Sequence, residues 1–252
     1  MLSEDQIARY HADGYVIPDF RFAPAVLESI KARHAALLAR FPQYRDYCPA
    51  LLDIDRGFLD YARNQALLDM VAQLIGPDVA LWNMSFFAKP AGNGKRTPWH
   101  QDGEYWPIRP LATCTAWLAV DDSTTENGCL RVIRGSHRDR ALKAHHTVTA
   151  GDVTLNQELD AGEYDEARAA DIVLEAGQIS LHDVYLLHGS EANVSPRPRR
   201  GMTFRFMPTA SVFDRALARE KFERIGGVDH SVRSVFLMRG ADVSGRNTFA
   251  AA

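Results

Sequence analysis

The chain has 252 residues, 46% hydrophobic and 24% charged, which is ample material for a buried core and excludes an intrinsically disordered polymer. Lysine and arginine total 29 against 32 aspartates and glutamates, a net charge of −3, so the basic surplus of a nucleic-acid binder is absent. No apolar run reaches the roughly 18–20 residues of a membrane span, and Cys48, Cys114 and Cys129, without CxxC spacing, fit neither a disulfide scaffold nor a zinc ribbon.

The N-terminal residues lack the basic start and apolar centre of a secretory leader, so a cytoplasmic location is expected. A first helix starts at the cap Ser3, with Gln6 completing a capping-box pattern, and stops near Gly14. The spacing of Val26, Ile30, Ala35 and Leu38 predicts a second helix over residues 23–40. A third covers residues 64–74, ended by Gly76 and Pro77. From residue 79 short β-rich runs take over: Val79–Phe87, Thr113–Val120, Cys129–Ile133, Ile179–Leu187 and Met202–Met207. Asn127-Gly128 supplies a strong turn signal between the second and third runs. Residues 138–168 are polar and weakly periodic, as expected of a long loop or lid. A last helix is expected over residues 213–224, then a tail. No linker or repeat divides the chain. The expected organisation is one domain: N-terminal helices over about 1–78, a β core over about 79–210, and a C-terminal helix and tail over about 211–252. Many short strands suggest a sandwich or jelly roll with helices against one outer face.

Chemistry concentrates in Thr97–Trp106. Residues i and i+2 of a strand share a face, so His100 and Asp102 would point to a common spot. His188 ends an apolar run and precedes Gly189 and Ser190. Two histidines and a carboxylate match the facial triad of non-haem iron(II) oxygenases, which leaves coordination positions open. His182 lies an even six residues before His188 and competes with it. Arg199 follows, with a planar fork suited to a carboxylate, and Arg200 competes with it. Alternation favours Arg199: it turns Thr203, Arg205 and Met207 inward and Met202, Phe204 and Phe206 outward against helices. In the preceding run Asn83, Ser85, Phe87 and Lys89 share one face. His137 reads as structural, and His145 and His146 as solvated.

Trp99-His100-Gln101-Asp102, Tyr105-Trp106-Pro107-Ile108-Arg109-Pro110, Ala116-Trp117, Asn127-Gly128-Cys129-Leu130, Gly135-Ser136-His137 and His188-Gly189-Ser190 resemble, in order and spacing, the phytanoyl-CoA dioxygenase family. The resemblance runs from about residue 83 to 208, with a weaker fit at Asp13-Gly14-Tyr15-Val16. It implies a mainly β fold with flanking helices around a double-stranded β-helix, the jelly-roll, cupin-like core. It also implies iron(II) with 2-oxoglutarate and O2 as co-substrates. Carried over by position, it makes His100, Asp102 and His188 the catalytic metal ligands and Arg199 the holder of the distal carboxylate of 2-oxoglutarate. Family members that halogenate lack the carboxylate ligand, so Asp102 favours hydroxylation or a related oxidation. Thr115, Ser190 and Lys89 are further expected contacts of 2-oxoglutarate. Asn83, Glu104, Tyr105, Trp106, Trp117 and Arg205 are expected on the substrate, a small polar molecule that is acidic or zwitterionic. An inward Arg205 needs an anion: either an internal acid such as Glu104, or the substrate. The alternative reading is a non-catalytic jelly roll that binds a metal or small ligand. No nucleic-acid or membrane partner is expected.

Overall fold

The computed structural model describes residues 1–251. Helix α1 (Glu4–Asp13) begins at Ser3, whose side chain accepts from the Gln6 amide while Gln6 reaches back, the reciprocal cap its sequence predicts. Gly14 ends it at φ 86°. Helix α2 (Pro24–Arg40) opens on a proline, which costs nothing in a first turn. Helix α3 (Gln65–Ile75) is capped by Asn64.

Ten principal strands follow or interleave: β1 (Tyr15–Val16), β2 (Val79–Lys89), β3 (Thr97–His100), β4 (Cys114–Ala119), β5 (Leu130–Ile133), β6 (Ala169–Ile172), β7 (Ile179–Asp183), β8 (His188–Ser190), β9 (Arg199–Pro208) and β10 (Phe236–Arg239). They form two antiparallel sheets. The major sheet runs β1-β7-β4-β9-β2-β10, with Tyr47–Cys48 pairing on β2. The minor sheet runs β6-β5-β8-β3. This is the jelly-roll arrangement, with α1, α2 and α3 on the outer face of the major sheet.

Alternation along β9 decides what each face does. Met202, Phe204 and Phe206 join Met84 and Phe86 of β2 in the core under the helices, with Leu27, Ile30 and Val71. Arg199, Thr203 and Arg205 point the other way, into the space between the sheets. Across the ladder, Thr203 faces Trp117 and Arg205 faces Thr115, and cross-strand partners share a face. Register slips between Arg205 and Phe206, where Trp82 is the extra residue on β2. Beyond that bulge, Trp82 and Met207 pack with Trp106 in a second core.

The turn expected at Asn127-Gly128 is present: Thr125–Asn127 is a single 3-10 turn ending at Gly128 (φ 78°), within a crossover between strands of different sheets. Two expectations need correction. The run 179–187 is not one strand, because a turn at residues 184–187 carries the chain from the major to the minor sheet. Residues 138–168 are not a structureless loop: His145–Thr147 and Gln157–Leu159 pair as a small hairpin, and only Thr154–Asn156 reach the mouth of the site described below. The last helix, α4 (Arg215–Ile225), is capped by Asp214. Among the described residues no helix is long and apolar enough to cross a membrane.

Candidate metal centre and its two chambers

His100 is the last residue of β3 and His188 the first of β8, and the two are direct cross-strand partners with ring centroids 4.1 Å apart. Asp102 lies just past the strand in a 3-10 turn, but Gln101 is extended (φ −114°, ψ 131°), so the i, i+2 relation with His100 survives. One ligand atom from each of His100, Asp102 and His188 falls within 4.8 Å of the others, and all three residues are buried.

Their protonation states are set locally. The His100 Nδ1 lies 2.8 Å from the Pro98 carbonyl and the His188 Nδ1 2.9 Å from the Leu186 carbonyl. A carbonyl can only accept, so each Nδ1 carries a proton, which leaves Nε2 as the ring nitrogen that can ligate a metal. Burial, helped by His100, pushes the His188 pKa well below its usual value and keeps the ring neutral. Burial alone would raise the Asp102 carboxyl, but the His100 and His182 rings, with the charge of Arg205 nearby, hold it well below the usual carboxylate range. Thr115 Oγ1 donates to its Oδ2 at 3.4 Å. Two neutral imidazoles and a carboxylate, deprotonated and converging, are what a divalent metal requires.

His182 lines the same cavity from β7, on the opposite sheet to His188. Its Nε2 sits 3.8 Å from Asp102 Oδ2, and its Nδ1 is buried without a partner. No carbonyl locks its tautomer as one does for His100 and His188. His145, expected in solvent, is half-buried, and its Nε2 accepts from the Gln101 amide at 3.1 Å, between the two ligands on that segment.

Arg199 is 2% exposed and has no acidic partner among the described residues. Its Nε and one terminal nitrogen donate to the Gly128 carbonyl at 3.1 and 2.9 Å, and the other to the Phe87 carbonyl at 2.9 Å. The side chain lies over the Trp117 ring at 5.3 Å and reaches Ser190 Oγ at 3.4 Å. Gly201 admits that indole, since a Cβ there would stand 2.2 Å from Trp117. Burial lowers the guanidinium pKa to about 10, so it stays charged. Arg200, by contrast, is satisfied by a two-point pair with Asp121 at 2.7 Å. Lys89 is the correction here. It is opposite Arg199 in the ladder, yet its ammonium donates to the carbonyls of Lys95, Ser190 and Glu191 and does not line the inner cavity.

The inner cavity, with the triad, Thr115, Ser190 and Arg199, shares Phe87, Asp102 and Arg205 as lining residues with an outer chamber of about 340 Å³. That size suits a small molecule. Asn83, Tyr105 and Trp106 line the outer chamber, whereas Trp117 lines the inner one. Glu104 lines neither: its carboxylate faces Arg224 at 3.8 Å. Arg205 is 5% exposed, donates once to Ser85 Oγ at 2.6 Å and leaves its Nε without a partner. Trp106 and Phe87 flank it at 5.2 and 5.7 Å. The internal pair with Glu104 does not form. Tyr47, Lys221 and His230 complete the chamber, and no sequence signal marked them because they come from distant segments.

A family model described as phytanoyl-CoA dioxygenase matches residues 10–201, well over half of the chain. The chain is 29% identical over 160 residues to a phytanoyl-CoA dioxygenase domain-containing protein 1 homolog of Dictyostelium discoideum, covering 63% of this chain and 57% of that protein. It is 30% identical over 158 residues to the peroxisomal phytanoyl-CoA dioxygenase of Homo sapiens, covering 60% and 46%. To the ectoine dioxygenase of Halomonas elongata it is 26% identical over 235 residues, covering 81% and 69%. The chain thus spans about half the length of the phytanoyl-CoA dioxygenase relatives. Among solved structures, the non-heme monooxygenase ThoJ in its apo form superposes with a TM-score of 0.73 at 27% identity, covering 96% of this chain and 86% of that one. EvdO2 of Micromonospora carbonacea, complexed with 2-oxoglutarate, shares the fold with a TM-score of 0.67 at 22% identity, covering 82% and 91%. The chain belongs to the phytanoyl-CoA dioxygenase family.

Proposed function

We propose that this member of the phytanoyl-CoA dioxygenase family is an iron(II)- and 2-oxoglutarate-dependent dioxygenase that oxidises a small polar molecule, acidic or zwitterionic, carrying a negatively charged group. One observation carries the reading: a complete triad with both imidazole tautomers locked shares its cavity with Arg199, a buried cation that no acid neutralises. A buried unpaired charge is costly, so a dicarboxylate co-substrate explains why it is there.

In this reading His100, Asp102 and His188 hold the metal on one face, and Arg199 takes the distal carboxylate of 2-oxoglutarate. Iron(II), with 2-oxoglutarate and O2, supplies the oxidising power to cleave a C–H bond while 2-oxoglutarate leaves as succinate and CO2. The protein orients and excludes water. Trp117 walls the guanidinium, Ser190 and Thr115 offer hydroxyls, and Phe87 borders both the co-substrate and the substrate chamber. Arg205, which also lines both chambers and has a free Nε, would hold the substrate's negative group and so place the adjacent carbon beside the metal.

The test has two parts. Anaerobic titration of iron(II) and 2-oxoglutarate should produce a weak visible charge-transfer band, and its absence would favour a non-catalytic ligand-binding barrel. Succinate release across a panel of small acids, amino acids and amines should rise with anionic compounds. Arg205→Met should then raise the substrate KM or uncouple succinate from product while leaving 2-oxoglutarate affinity in place.

A further inference from the structure

The outer chamber is unusual in its charges. Besides Asp102, which belongs to the triad, no carboxylate of the described residues lines it. Two buried cations do: Arg205, which lines both chambers, and Lys221 on α4, which lines the outer chamber alone. Lys221 is 7% exposed and its ammonium donates only to the Glu104 backbone carbonyl among the described residues, leaving two of three protons unused. Among the described residues no acid lies within ion-pair distance of it, and the Glu104 carboxylate is turned to Arg224. His230, which faces the chamber, adds no charge: burial, with Arg233 and Arg205 nearby, lowers its pKa to about 3. The same chamber is lined by several rings, among them Tyr47, Tyr105, Trp106 and Phe222.

Resting on the reading of an anion held at Arg205, we propose that the chamber selects a planar aromatic acid bearing a second acceptor, anionic or carbonyl, that Lys221 receives at the end away from the metal centre. Two cations without acids call for two acceptors, and flat walls favour a flat body. With Asp102 engaged by the metal, a free ammonium on the ligand would find no other lining carboxylate among the described residues, so the zwitterionic alternative is disfavoured. The aromatic body fills the apolar middle, and Arg205 and Lys221 fix its direction, presenting one end to the triad.

The test uses the full chain loaded with iron(II) and 2-oxoglutarate under anaerobic conditions, with binding read by calorimetry, so that Asp102 is engaged and no turnover occurs. The probes are 2,6-naphthalenedicarboxylate, 2-naphthoate and 2-naphthylmethylamine. The two-headed acid should bind roughly tenfold more tightly than 2-naphthoate, the scale of one charge-assisted hydrogen bond, and the amine should not bind. Lys221→Met should erase that tenfold advantage and leave 2-naphthoate unchanged, whereas Arg205→Met should weaken both acids. Lys221→Gln serves if the methionine variant does not fold. An advantage that persists in the Lys221 variant, equal binding of the amine, or no binding of either acid overturns the proposal. Loss of the advantage in Lys221→Met with no effect of Arg205→Met would instead overturn the anion site at Arg205. Neither result bears on the co-substrate site, which the 2-oxoglutarate titration tests separately.

Discussion

Replacing Arg199 separates the co-substrate reading from a merely structural one. The guanidinium has five N–H protons, and three of its bonds go to the carbonyls of Gly128 and Phe87. What remains of the fork is directed to the cavity side, where Ser190 Oγ is its nearest polar neighbour at 3.4 Å. Arg199→Ala therefore has two effects. It strips the buried Gly128 and Phe87 carbonyls of their donors, which costs about 1–3 kcal/mol of stability. It also removes a charge-assisted partner of the distal carboxylate, worth about 2–5 kcal/mol in a closed site, or roughly 30-fold or more in 2-oxoglutarate affinity. Arg199→Lys keeps the charge without the planar fork and should fall between the two. The assay is anaerobic titration of the iron(II)-loaded protein with 2-oxoglutarate, alongside a thermal melt. A variant that melts early yet binds 2-oxoglutarate like the wild type would refute the assignment and leave Arg199 as a strut for the Gly128 turn.

Other expectations follow from the same geometry. His100→Ala, Asp102→Ala and His188→Ala should each lose iron at equilibrium dialysis, while His182→Ala retains it; the reverse pattern at His182 and His188 would reassign the ligand. His34, stacked on Phe86 at 4.2 Å, has its pKa lowered to about 4 by burial. A proton then binds the unfolded chain first, so stability is full above about pH 6.5 and falls as the pH drops towards 4; His34→Leu should flatten that part of a urea-stability profile. Gly201→Ala would drive a Cβ into Trp117 and should lower stability by about 1–3 kcal/mol in a thermal melt.

Much of this site is legible in the primary structure because it depends on local rules. His100 and Asp102 stay two apart on extended backbone, and β9 alternates strictly from Arg199 to Arg205, so one strand places both guanidiniums inside. The capped helices begin and end where Ser3, Gly14 and Gly76 say. What failed is what required knowing which strands pair. His182 and His188 look like two positions on one strand face, yet a turn puts them on opposite sheets, and they meet only because the sheets face each other. Lys89 has the right parity but spends its protons on the carbonyls of Ser190 and Glu191, a neighbourhood set by the crossover. Glu104 is turned away by Arg224, and Lys221 is brought to the chamber by packing of α4 against the Glu104 turn. Periodicity along a chain fixes which side of a strand a residue occupies. Which groups then consume its charge, and whether one is left for a ligand, depends on segments a hundred residues away and is decided only when the sheets close.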